Sequence, residues 1–329
     1  MRKSTDIPTN NNYAPWEISL VPSDPTNFNS WCEYLVSCAV LAGNSHNSQP
    51  WKFRGDPIKK TLEVYLDTDA VLSVSDPTQR QAVISCGCAI GNIEVASQAV
   101  GWKSLIQLQP SENHNLLATI AFEKDTPRDT HLLKAIPTRR VNRAKCDTHK
   151  QLPGDIEGLL KLHTREGLSI SIITDAITKN AIAEIQEQAV RFVVGNPAFR
   201  TELGEWLTPN NSISPLGMPG NTFGLRDSES VQIHTQLLDG KLDYDLASGV
   251  AIGDRDRVRT CGALIALLGD NTRQNWIYAG ISWQRMALEV EAQDISMAVS
   301  AAIVEVPLLA RVFSLRCHTA LAPLVICTI

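Results

Sequence analysis
The sequence lacks most of the features that assign a chain at sight. Its 329 residues carry 30 Lys and Arg against 35 Asp and Glu, a net charge of −5. No stretch concentrates basic residues, so no nucleic-acid partner is expected. No apolar run approaches the roughly 20 residues that cross a bilayer, and no membrane partner is expected either. Ser4 to Asn12, directly after Met1-Arg2-Lys3, are polar where a signal peptide carries its apolar core. The eight cysteines, at 32, 38, 86, 88, 146, 261, 317 and 327, form no Cys-x-x-Cys pair. Cys86-Gly87-Cys88 has no His or second Cys pair at zinc-like spacing, so no metal site is predicted. Thiols inside apolar patterns read as small buried hydrophobes in a reducing cytoplasm. Missing too are a Gly-x-Gly-x-x-Gly turn after a strand, a phosphate loop ending in Gly-Lys-Ser/Thr, a Gly-x-Ser-x-Gly elbow and a His-Glu-x-x-His helix. These absences argue against a Rossmann site, a nucleotide-triphosphate site, a serine hydrolase and a zinc protease.

What is present is an ordinary core-forming chain, 43% hydrophobic and 20% charged. Residues 1–28, rich in Asn, Pro, Ser and Thr, read as an extended arm. Ser30-x-x-Glu33 has the form of a capping box, and Trp31, Tyr34, Leu35, Cys38 and Leu41 recur at helical spacing until Gly43. Alternating strands at 50–54 and 61–67 precede Asp76-Pro77, which predicts the N-cap and first position of a long helix ending at Gly101. Strand-like runs follow near 104–109 and 116–122. Beyond 130, the pattern gives helices near 155–166, 175–194 and 197–206, with a strand at 168–173. A buried strand is predicted at 261–269 and a second long helix over 271–294.

Four segments carry candidate chemistry. Gly43-Asn-Ser-His-Asn-Ser-Gln-Pro-Trp51 is a small-residue loop before a strand, whose backbone can approach a planar polar ring. Ser45, His46, Asn47 and Gln49 supply donors and acceptors there, although a plain polar turn uses the same residues. His46 either donates to a ligand, titrates near neutral pH or is a satisfied loop histidine. Arg139, Arg140 and Arg143 form the second segment. If it is helical, Arg139 and Arg143 share a face suited to a phosphate, and a surface basic turn is the alternative. Residues 208–225, around Gly217, are dense in breakers with Leu216, Met218 and Phe223 between them, and read as a lid or as disorder. The fourth segment, Ile295 to Ala302, is uncharged and reads as a buried strand. The glycines of the first long helix, among them Gly87 and Gly91, read as close helix packing.

The loop at 43–51 resembles the Pro-Ser-Ser-x-Asn-x-Gln-Pro-Trp loop of the flavin-dependent nitroreductase family, with Gly43 and Asn44 in place of Pro-Ser. Arg139–Arg143 is similar to that family's phosphate-holding Arg-x-Ser-x-Arg/Lys run, with Val141 in place of Ser. The order of these and later motifs resembles the long fused, Acg-like branch.

The resemblance implies an α+β fold that binds FMN, built as two tandem halves that mimic in one chain the family's homodimer. The expected divisions are an arm at 1–28, a first half at 29–128 and a second half at 129–329 with the lid at 208–225. It implies FMN as cofactor and NAD(P)H as transient reductant. Hydride would pass through flavin N5 to a small-molecule acceptor, a nitro compound, a quinone or similar. The alternative is a flavin-sequestering or inactive binding protein with a lid over the pocket. No side chain is expected to act as acid or base. The expected cofactor set is Ser45, His46, Asn47, Gln49, Arg139, Arg140, Arg143, Gly217, Ser300, whose neighbourhood would offer a backbone N–H to N5, and Arg316. Arg316 is the candidate to replace the C-terminal Arg whose position Thr328 occupies. A cytoplasmic monomer acting as a pseudo-dimer, or a weak homodimer, is expected.

Overall fold
The computed structural model describes residues 14–24, 26–108, 115–144, 146–147, 152–242 and 244–329, the side chains of 244–246 excepted. The expected arm lies outside the described residues up to position 13, and Ala14–Trp16 forms one 3-10 turn. In chain order the first elements are α1 (Phe28–Ala39), β1 (Trp51–Asp56), β2 (Thr61–Leu66), α2 (Arg80–Ala99), β3 (Trp102–Leu108), β4 (Leu116–Lys124) and α3 (Thr130–Ala135). Next come α4 (Ile156–Lys161), β5 (Leu168–Ile173), α5 (Ala176–Gly195), α6 (Pro197–Trp206), β6 (Leu207–Thr208), β7 (Met218–Pro219), α7 (Asp227–Leu238) and α8 (Tyr244–Thr260). The last are β8 (Leu264–Gly269), α9 (Arg273–Ala292), β9 (Ala298–Val299), α10 (Ala302–Glu305), α11 (Pro307–Arg316) and β10 (Ala322–Thr328). The chain is α+β, as expected, and its two four-stranded sheets are antiparallel.

Those two sheets repeat one order. The first runs β1-β2-β4-β3 and the second β5-β8-β10-β9, every neighbouring pair antiparallel. In each, the third strand in sequence is an edge, and a 20-residue helix follows the second strand. In β2, Leu62, Val64 and Leu66 alternate inward, as a half-buried strand does. All six residues of β8 are buried, as in a strand covered on both faces.

The two long helices, α2 and α9, pack directly on each other, and small residues make this possible. A Cβ added to Gly280 would fall 2.0 Å from the Ile84 carbonyl oxygen and 2.8 Å from Gly87 Cα. One added to Gly87 would fall 2.4 Å from the Ile277 carbonyl oxygen. The predicted role of Gly87 as a close-packing residue is therefore met by backbone on the facing helix. One core cluster joins both sheets, with Leu62, Val64 and Ile120 from the first and Ile265 and Leu267 from the second. A charge pair crosses the same seam: half-buried Arg285 of α9 pairs with buried Glu94 of α2 at 3.3 Å, and also with Asp129, just before α3, at 2.6 Å.

Local signals were displaced in two places. The N-cap of α1 is Asn27, whose side chain accepts the N–H groups of Asn29 and Ser30, while Ser30 Oγ turns to Asp24 N and Ser23. Helix α2 begins at Arg80, not at Pro77. Asp76 still satisfies its first turn by accepting the Ala82 N–H at 2.9 Å.

Candidate functional site
Helix α1 ends at Ala39, and the 43–51 loop that follows is held by α9 before it can be held by anything else. Gly43 N–H donates to Gln284 Oε1 at 3.0 Å, and Gln284 Nε2 donates to Asn92 Oδ1 of α2 at 2.8 Å. A Cβ at Gly43 would lie 2.4 Å from the Trp283 ring, so this glycine is required by packing against α9. Asn44 then closes the turn, its Oδ1 accepting the Gln49 N–H at 2.9 Å. Ser45 Oγ donates to Gln81 Oε1 at 3.0 Å.

Between these anchors the backbone is strained. His46, Asn47 and Gln49 have φ of 53°, 53° and 51°, in the left-handed region that non-glycine residues seldom enter. Such residues cost about 1–3 kcal/mol each and persist where surrounding contacts over-determine them, most often at binding sites. The His46 ring is half-buried, and its Nδ1 is buried without a partner among the described residues. Burial pushes its pKa down to about 4, with Glu202 opposing the shift and Arg143 adding to it. The ring is neutral at pH 7, contrary to the expectation of titration near neutrality or of a satisfied loop histidine.

The 208–225 segment closes on this loop. Asn47 Nδ2 donates to the carbonyls of Pro215 (3.1 Å) and Gly217 (3.0 Å), Gln49 Nε2 donates to Pro215 O (3.1 Å), and Gly217 N–H donates to Asn47 O (3.2 Å). The segment is more regular than its breakers suggest, since β6 and β7 pair in parallel and Gly220–Phe223 makes a 3-10 turn. Of its apolar residues, Met218 is buried with Leu207 and Leu237. Phe223 lies 4.9 Å beneath the Arg143 guanidinium, and Leu216 is exposed.

The arginine run is not a helix. Arg139 N–H caps the end of α3 by donating to Ala135 O at 2.8 Å, and the chain then extends, Val141 bridging in parallel to Met297. The three guanidinium groups part company. Arg139 reaches the start of the loop, Nη2 donating to Leu41 O at 3.2 Å, while its Nε is buried without a partner among the described residues. Arg140 turns away, stacked 4.8 Å over Trp16 and donating to Pro137 O and Arg139 O. Arg143 as a residue is exposed, yet its guanidinium is covered by Phe223, and its charge acts on His46. Arg139 thus reaches the start of the loop at Leu41 while Arg143 acts on His46, rather than the two sharing one helical face.

The remaining expected residues divide. Ser300 is 1% exposed, and its backbone N–H is spent in the sheet on Ile326 O at 2.9 Å. What it keeps is Oγ, buried without a partner among the described residues. Arg316 stands exposed in the last turn of α11 and bonds to none of the other site residues described. Gln81 also donates to Glu305 Oε1 at 3.0 Å, and Glu305 lines a cavity of about 1010 Å³. That cavity is lined in part by Asp76, Arg80, Glu305, Arg311 and His318.

Sequence reasoning missed Gln284 and Trp283, which hold the loop, and Arg257 of α8. Arg257 is 5% exposed, and its charge bears on Arg143. Only Val258, apolar inside Asp-Arg-Asp-Arg-Val-Arg, hinted that this charged run turns inward.

Buried polar groups in folded proteins nearly always have partners. His46 Nδ1, Arg139 Nε, Arg257 Nε and Ser300 Oγ have none among the described residues. A ligand that is polar along its edge and anionic at one end fits these donors.

No protein-family model matches the chain. Over 188 residues it is 30% identical to "Putative NAD(P)H nitroreductase Rv3131" of Mycobacterium tuberculosis, covering 56% of this chain and 53% of that protein. It is 35% identical over 112 residues to "Putative NAD(P)H nitroreductase acg" of the same organism, a third of each chain. A third relative, "Uncharacterized protein Rv3127", is 24% identical over 205 residues, 60% of this chain and 58% of that one. The chain therefore spans about half the length of the curated relatives it matches. With these likenesses added to the loop and arginine motifs, the chain is similar, over about half its length, to proteins named as NAD(P)H nitroreductases.

Proposed function
We propose that the chain is an FMN-binding oxidoreductase that takes hydride from NAD(P)H and delivers it to a small-molecule acceptor such as a nitro compound or quinone. The observation that carries this reading is the loop with His46, Asn47 and Gln49 in left-handed backbone, with Arg139 at its start and the charge of Arg143 acting on His46. When bound, the flavin would supply the redox chemistry, accepting hydride at N5 and passing it on.

The protein's own part is to bind, orient and exclude water. With the lid fastened, Asn47 keeps its Oδ1 and Gln49 its Oε1 and one amide N–H for the ring edge, and neutral His46 adds one ring nitrogen. Arg139 and Arg143 supply fixed positive charge beside the loop. Ser45 is set by Gln81, and Gly217 closes the lid over Asn47. We read the chain as two tandem halves, 29–128 and 129–329, folded together as the family's dimer folds, acting as a monomer or weak homodimer in the cytoplasm. The repeated strand order and the packed pair α2 and α9 support this reading.

The lid contacts favour a second reading, in which flavin is held without turnover because Pro215 and Gly217 occupy the amides of Asn47 and Gln49. One experiment separates the two. The purified protein is reconstituted with FMN, released flavin is quantified per chain, and the visible band is followed on anaerobic mixing with NADH and NADPH. One FMN per chain that bleaches within the mixing experiment is expected. Bound flavin that does not bleach selects the sequestering reading. Two FMN per chain contradicts the tandem arrangement, and no binding overturns the flavin function.

A further inference from the structure
Helices α5 and α8 pack together around an excess of buried positive charge. Lys179 is 9% exposed and donates to Cys261 O at 2.6 Å, a neutral partner. Arg257, 5% exposed, pairs through Nη1 with Asp254 Oδ1 at 2.8 Å. The other Asp254 oxygen is taken by Nε2 of the fully buried Gln186 at 2.9 Å. One carboxylate therefore serves Arg257 and an amide, and Arg257 Nε remains without a partner among the described residues. A buried guanidinium with an unmet fork donor is costly unless an anion completes it.

A second cation approaches the same place. Burial and then the like charge of Arg257 act against the charge of Arg143, and Asp254 opposes them. The elements of the two arginines meet at one strand end: Asn142 N–H donates to Met297 O beside Ala298, which pairs with Thr328, and Gly262, just past α8, donates to Ile329 O at 2.8 Å. Phe223 covers the face of the Arg143 guanidinium, which makes no hydrogen bond to a described residue. Stacking leaves the donors on the guanidinium edge available. Two like-charged forks, one with a buried donor unmet, match a dianion with three oxygens.

We infer that Arg257 and Arg143 together form the binding site for the phosphate of FMN, Arg257 supplying from α8 a buried fork that the arginine run does not contain. This inference rests on the flavin reading above. Arg139, bonded at Leu41, then serves the start of the loop.

Riboflavin has the same ring as FMN and no phosphate, so the pair of ligands isolates the assignment. Wild type, Arg257→Met and Arg257→Lys are titrated with each flavin by quenching of flavin fluorescence. Arg257→Met is expected to lose about 10- to 100-fold in FMN affinity, as removal of a charged hydrogen bond does, with riboflavin affinity unchanged. Arg257→Lys, which keeps the charge near Asp254 but not the fork, should fall between. If Arg257→Met does not fold, Arg257→Lys carries the test by the same ratio. Equal losses for both flavins, or no loss for FMN, overturn the inference. Wild type that binds FMN and riboflavin equally also overturns it, while leaving the flavin function intact. Wild type that binds neither flavin removes that function and the inference with it.

Discussion

The Asn47 side-chain amide donates to Gly217 O at 3.0 Å while the Gly217 N–H donates to Asn47 O at 3.2 Å, so loop and lid are fastened residue to residue. Pro215 O accepts from both Asn47 and Gln49 and extends the clasp. A variant lacking residues 211–216 loses the Pro215 contacts but keeps the loop and its arginines. Flavin reduction by NAD(P)H is expected to quicken in this variant, with FMN still bound, because entry rather than affinity limits the reaction. Stopped-flow bleaching of the flavin band compares the two proteins. An unchanged rate in the folded, loaded variant shows that the segment gates nothing.

Arg139 and Lys134 differ in what they face. Arg139 Nη2 touches Leu41 O at the start of the loop, with Nε buried, whereas Lys134 is exposed in the last turn of α3. Arg139→Ala should weaken FMN about tenfold or more, and Lys134→Ala should leave it unchanged. Arg316→Ala, at the exposed end of α11, should behave like Lys134→Ala. Fluorescence titration reads all three, and equal losses would show that Arg139 makes no particular contact with the flavin.

How much of this was legible follows from which signals are local. The strand at 168–173 and the helix at 197–206 coincide with β5 and α6, because period and flanking residues are written in the segment itself. Gly87 was readable as a packing glycine, but its partner Gly280 stands 193 positions away, and only the folded chain pairs them. The Arg139 to Arg143 spacing suited a helix, and the extended backbone came from the bridge of Val141 to Met297, a long-range contact. The loop was legible as a site because its residue types are unusual together. The strain at His46, Asn47 and Gln49 was not, since φ there is imposed by Gln284, Asn44 and the lid. Arg257 stayed hidden because a charged helical run reads as solvated until its neighbours are known.

The seam between α2 and α9 has no room for a methyl group at Gly280. An added Cβ would sit 2.0 Å from Ile84 O and 2.8 Å from Cys88 N, both backbone atoms that move only if a helix moves. Gly280→Ala is expected to destabilise the protein by about 3 kcal/mol or more. Gly249 of α8 meets nothing within 4 Å, and Gly249→Ala there should stabilise by about 0.5–1 kcal/mol through helix propensity. Urea unfolding of the two variants gives the opposite signs directly. A neutral Gly280→Ala would mean that the two helices do not meet in solution as described.

The last prediction turns the unpartnered His46 ring into a pH dependence. Its pKa lies at about 4 in the folded chain, against 6.5 for an unperturbed ring, with burial the largest cause. Between those values the unfolded chain binds a proton that the folded chain refuses. The stabilising contribution of the neutral ring is therefore complete above about pH 6.5 and is lost as pH falls toward 4. His46→Asn removes the titration and keeps a residue that tolerates φ of 53°. At pH 8 the two proteins should differ only by the lost ring contacts. At pH 4.5 the variant should gain on the order of 2 kcal/mol relative to wild type, once partial solvent access to the ring is allowed for. Other titrating groups are common to both proteins and cancel in the difference. Denaturant midpoints at the two pH values measure it, and a constant gap would show that His46 is solvated and free to protonate in the folded chain.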